Sequence, residues 1–135
     1  MRVIEYSRVG GKYKFRLDVY GAYVLPPDLA REVRGWNVRT PFYTIKSGAI
    51  SAQAGYAWDG ASGPVFDTHR TLRATLIHDI LYQAMRQRKI NPADRKLADR
   101  TMLAILKEDR MWPHRRVWWY LAVRLFGWLA VRKER

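Results

Sequence analysis

The hydrophobic period of this chain changes once, and that change limits the fold more than any other feature. Up to about residue 58 apolar and polar residues alternate. In "YKFRLDVY", Tyr13, Phe15, Leu17 and Val19 share one face, and Lys14, Arg16, Asp18 and Tyr20 the other. A two-residue repeat fits a strand with one buried side. "RVIEY" alternates likewise, and Gly10-Gly11 between the two predicts a hairpin. Pro26 and Pro27 then interrupt the sheet, and a short helix is expected over 27–33. "PFYTIKSG" and "AISAQAGYAW" read as two further strands around Ser47-Gly48. Beyond "DGASGP", a loop by composition, the period becomes helical. A first long helix is expected over 72–87. Asn91 then serves as N-cap, Pro92 as first helical residue and Asp94 as first-turn acid for a second helix to about 107. Trp112-Pro113 separates a third, over 114–131. The reading is α+β in a single domain, 1–135. It has a small N-terminal antiparallel sheet over 1–58, a glycine-rich loop over 59–70, and a bundle of two or three helices over 71–135.

The first long helix contains "ATLIHDILYQ", where polar residues interrupt an apolar run. At about 100° per residue, Leu72, Leu76, Ile77, Ile80, Leu81 and Ala84 share one broad side. His78, Asp79 and Tyr82 cluster on the other and form a stripe off the core face. On the second helix, Asp99 borders the apolar side made by Leu97, Ala98, Met102, Ile105 and Leu106. A short connection favours an antiparallel helix pair, which brings Asp99 toward His78. A carboxylate there holds the imidazole tautomer and supports its charged form, the orienting role in a His-Asp dyad. Asp79 is left to face "YAWDGASGP", where Asp59 and the backbone at Gly60 offer further oxygens to a hard cation such as calcium. The same residues also suit a purely structural network that ties loop and helices together.

Composition narrows the partners. The 135 residues carry a formal net charge of +13 and no Cys. Disulfides, thiolate metal sites and cysteine nucleophiles are therefore excluded. The charge favours an anionic partner: a phospholipid surface, DNA or an acidic face of another protein. Spread-out Arg residues without a nucleic-acid motif are equally the mark of a solubilising surface. No apolar leader follows Met1, so secretion by a signal peptide is not expected.

Four ordered stretches, "YAWDGASGP", "ATLIHDILYQ", "RKLADRTM" and "VWWYLAVRLFG", resemble an uncharacterised family of short bacteriophage and prophage proteins. That resemblance implies a viral protein located in the virion or the host-cell cytoplasm. The His-Asp-x-x-Tyr helix, the Asp-bearing second helix and the preceding glycine loop are similar, more distantly, to parvovirus-type phospholipase A2. That likeness implies an ester (lipid) hydrolase with His78 as general base, Asp99 as orienting acid and Tyr82 in support. It also implies calcium held by Asp79, with Asp59 and Gly60 in the loop. The enzyme loop reads Tyr-x-Gly-x-Gly, whereas here Trp58 and Asp59 precede Gly60. The alternative expectation is a non-enzymatic virion or assembly protein whose basic surface binds DNA or another virion protein.

The final segment, "RRVWWYLAVRLFGWLAVRKER", holds an apolar run over 117–131. That is shorter than the roughly 20 residues a membrane span needs, and Arg124 costs about 3 kcal/mol at a bilayer centre. No transmembrane span is expected. Trp118, Trp119 and Trp128, with Arg and Lys at both ends, suit peripheral membrane contact. Packing on the domain core, as cover for a small sheet, is the preferred reading.

Overall fold

The computed structural model describes residues 6–8, 15–18, 20–58 and 69–132. The elements run β1 (Tyr6–Arg8), β2 (Phe15–Leu17), β3 (Gly21–Val24), α1 (Pro27–Glu32), β4 (Asn37–Arg39), β5 (Tyr43–Lys46), β6 (Ala49–Ala52) and β7 (Ala57–Trp58). Then follow α2 (His69–Arg86), a 3-10 turn (Pro92–Asp94), α3 (Arg95–Glu108) and α4 (Pro113–Ala130). The fold is mixed α+β: antiparallel strands first, then helices.

The strands form two sheets where one was expected. One has the order β1-β2-β7 and the other β3-β6-β5-β4. The expected strand "AISAQAGYAW" is split: β6 pairs with β3 and β5, while β7 pairs with β2. The break is a turn in which Gly55 has φ of +93°, backbone that few other residues adopt. Two bonds stitch that turn to β2, Leu17 N to Tyr56 O at 2.7 Å and Gly55 N to Leu17 O at 2.7 Å. Within β2 the alternation holds: Phe15 and Leu17 are buried and Arg16 is exposed. The Gly10-Gly11 turn, Tyr13, Lys14 and Val19 lie outside the described residues, though β1 and β2 pair antiparallel with Tyr6 opposite Leu17. Ser47-Gly48 makes the β5–β6 turn as expected, with both φ positive.

Large aromatics from the strands point their polar tips at the helices. Trp58 Nε1 donates to Thr75 Oγ1 at 3.1 Å, Tyr56 Oη to Gln83 Oε1 at 2.7 Å, and Tyr43 Oη to Gln87 Oε1 at 2.9 Å. These bonds fix α2, and the residue just after it, on the sheet side. Each ring buries apolar area and keeps its hydrogen bond. Replacing Trp58, which is 1% exposed, by Ala should cost about 3–5 kcal/mol.

α2 is the central helix, buried nearly all round from Leu72 to Met85. The expected stripe off the core face is therefore corrected. His78 and Tyr82 are 7% and 4% exposed, and Asp79 is half-buried. A helix chosen for burial on every side needs no apolar stripe, which is why the wheel misleads here. α3 runs antiparallel to α2, since Arg73 meets Glu108 and Asp109 while His78 meets Asp99. Asn91 caps as expected, accepting from Ala93 N at 3.0 Å. Asp94 instead stands at the N-cap position of α3, where its side chain makes no cap bond and accepts from Trp36 Nε1 at 3.3 Å. α4 packs chiefly on α3, so it covers the helix pair and not the sheet. Gly127 permits the approach. A Cβ there would overlap the Tyr82 hydroxyl and sit 2.8 Å from Arg95 Nη1.

Candidate functional site

The seam between α2, α3 and α4 collects four donors around one carboxylate. Asp99 is wholly buried. Its Oδ1 lies 2.8 Å from His78 Nε2 and accepts a short bond from the Tyr82 hydroxyl. Its Oδ2 lies 2.9 Å from Arg124 Nη1 and 3.3 Å from Arg95 Nη1. Helical spacing explains each placement. His78 and Tyr82 are one turn apart on α2, Arg95 and Asp99 one turn apart on α3, and Arg124 comes from α4. Arg95 also bonds two carbonyls of α4, Val123 O at 2.7 Å and Arg124 O at 3.0 Å. The imidazole and phenol ring centroids lie 3.9 Å apart, with the planes tilted by 45°.

Burial alone pushes the Asp99 carboxyl up. Hydrogen bonds from His78, Tyr82 and Arg124, with the charge of His78, outweigh burial and hold it below its ordinary range. Asp99 is thus an ionised acceptor. Burial, and then the Asp99 charge, push the Tyr82 phenol far above its ordinary value. Tyr82 is thus a neutral donor. With Nε2–H directed at Asp99, a tautomer assigned from its partner, His78 keeps Nδ1 as its basic nitrogen. Nδ1 makes no hydrogen bond to a described residue, and 9% of the side chain reaches solvent.

Of the expected site residues, His78, Asp99 and Tyr82 come together. Asp79, next to His78 in the chain, is half-buried on α2. Asp59 and Gly60 lie outside the described residues. Among the described residues no group of three or more His, Cys, Asp or Glu side chains converges as a metal site. Calcium takes six to eight oxygens, and of the three residues expected to hold it only Asp79 lies among the described residues.

Sequence reasoning did not single out Arg95 or Arg124 as partners of Asp99. Arg95 carried a signal in its four-residue spacing from Asp99. Arg124 carried one only as the lone charge within an apolar run. A second cluster was also missed. Arg73 is buried at 4% exposure and reaches Asp109 through Nη2–Oδ1 at 2.8 Å and Nε–Oδ2 at 3.1 Å, and Glu108 at 2.9 Å. Its guanidinium lies 5.3 Å from the ring of Tyr23 on β3.

Fold and site together define a small α+β protein with a buried His-Asp-Tyr-Arg network on a three-helix seam. The chain belongs to the family described as protein of unknown function (DUF1353), whose pattern matches residues 36–123. No curated protein and no solved structure matches it. Among the described residues no helix is long and apolar enough to cross a membrane.

Proposed function

We propose that the protein is an ester hydrolase with His78 as general base, acting on phospholipid-like esters. The observation that carries this reading is the pairing of His78 Nε2 with Asp99 Oδ1 at 2.8 Å, which leaves Nδ1 for water. In the reaction Nδ1 takes a proton from water as its oxygen bonds the ester carbonyl carbon. The tetrahedral intermediate then collapses, the carbon–alkoxy bond breaks, and the imidazolium returns the proton to the leaving alkoxide. Products are the carboxylic acid and the alcohol. Asp99 keeps the tautomer and stabilises the imidazolium without taking the proton, because Arg95 and Arg124 hold its other oxygen. Calcium at Asp79 and the 59–60 loop belongs to the same proposal, as does the setting of a phage or prophage protein in a virion or host cytoplasm.

The test is hydrolysis of a panel of short-chain soluble esters and phospholipids, with and without added calcium or chelator. His78→Ala should lower turnover by about 10²–10⁴-fold while the far-ultraviolet spectrum is unchanged. Absence of turnover across the panel would sink the reading.

A second reading has its own observation. Asp99 is fully buried and bonded by donors from three helices, the arrangement of a structural brace. The protein is then a non-enzymatic virion or assembly component whose basic surface binds DNA or another virion protein. This reading expects His78→Ala to lower the melting temperature clearly and the wild type to show no esterase activity.

A further inference from the structure

We infer that the outer face of α4 docks the protein on an anionic lipid surface. A helix on a water-facing surface turns polar residues outward. α4 does the reverse. Val117, Trp118, Leu121, Leu125, Trp128 and Leu129 are each at least 49% exposed, and at about 100° per residue they fall within an arc of about 120°. Trp119, Ala122 and Gly127 face inward. Trp119, expected as a membrane contact, is 3% exposed and belongs to the core. Arg124, the one charge within the apolar run, is also turned inward, onto Asp99. The outward stripe is therefore apolar from Val117 to Leu129, roughly 18 Å along the helix.

A continuous exposed patch of this kind marks a partner surface. Charge and residue type point to lipid. α4 contains no Asp or Glu, and Arg115, Arg116 and Arg132 stand at its ends, in a chain of net charge +13. Arg132 lies 5.0 Å from the ring of Trp128. Trp and Arg bracketing an apolar stripe suit a helix that lies in the headgroup plane. A second copy of the chain would set two cationic, acid-free helices face to face. The inference rests on the hydrolase reading only for its purpose, to bring the His78 seam to its substrate.

The test is flotation of the full chain with vesicles of phosphatidylcholine alone or mixed with phosphatidylglycerol. Selective flotation with the anionic vesicles and a blue shift of Trp emission are expected. The double variant Leu121→Asp/Leu125→Asp, on the exposed face, should keep its melting temperature and partition at least about tenfold more weakly. Wild type that stays unbound overturns the inference. So does a double variant that floats like wild type, since charge alone would then explain binding. A dimer in sedimentation analysis that the double variant abolishes, without flotation, overturns it in favour of self-association. Turnover of a soluble ester on the same samples separates the two proposals. Docking without turnover removes only the hydrolase, and turnover without docking removes only the lipid-binding face.

Discussion

Two buried charge clusters lie on the α2–α3 seam, and they are built with opposite signs. Near the start of α2 a buried cation, Arg73, is met by the carboxylates of Glu108 and Asp109 and by the Tyr23 ring. Midway along the seam a buried anion, Asp99, is met by His78, Tyr82, Arg95 and Arg124. The difference lies in what surrounds the central charge. Glu108 keeps 45% of its side chain in water, Asp109 14%. Asp99 keeps none, and two of its donors are nearly as dry. The Arg73 cluster joins sheet to helices at an open edge, whereas the Asp99 cluster sits where a proton relay or a brace gains most from excluded water.

The sharpest way to break this comparison is to remove each centre. Asp99→Ala should cost about 3–5 kcal/mol in chemical denaturation, because two guanidinium groups lose their buried partner. Arg73→Met keeps the apolar stem and should cost less, about 1–3 kcal/mol, since Glu108 and Asp109 can turn to water. Equal losses would show that exposure of the partners does not set the cost. Gly127→Ala presses a methyl against Tyr82 and Arg95, and about 1–3 kcal/mol is expected from overpacking. A crystal structure should show Tyr82 displaced from Asp99, and an unshifted Tyr82 would contradict the packing argument.

The pH response separates the clusters further. The Asp99 carboxyl is held below its ordinary 3.8 in the folded chain. Its contribution to stability is therefore present above the unfolded value, about pH 4, and is lost as pH falls through the lower folded value. The difference in melting temperature between wild type and Asp99→Asn should be full above about pH 4 and shrink below it. A difference that stays constant down to strong acid would contradict an ionised Asp99. The smallest effect is expected at the open edge. Glu108→Gln should change stability by less than about 1 kcal/mol, because its carboxylate is half in water.

The His-Asp-Tyr part of the site was legible because helical spacing is local. His78 and Tyr82 are one turn apart on any helix, and a short connection returns α3 alongside α2. Arg124 was not legible as a partner, because its role depends on how closely α4 approaches, and Gly127 sets that distance. The two sheets were hidden for a related reason. "AISAQAGYAW" has strand chemistry throughout, but the turn at Gly55 sends its halves to different partners. Likewise the polar side of α2 read as lying off the core face, whereas packing of α3 and α4 buries His78 and Tyr82.

By itself the sequence determined the order of strands and helices, the Asn91 cap, the Ser47-Gly48 turn and the meeting of His78 with Asp99. These rest on backbone periods and on contacts within a few turns of chain. Tertiary structure alone decided that Asp99 is fully dry, that two arginines share it, that Trp119 faces in, and that Trp118 and Trp128 face out. Those outcomes follow from which surfaces are left after distant elements pack, and no local period encodes that remainder.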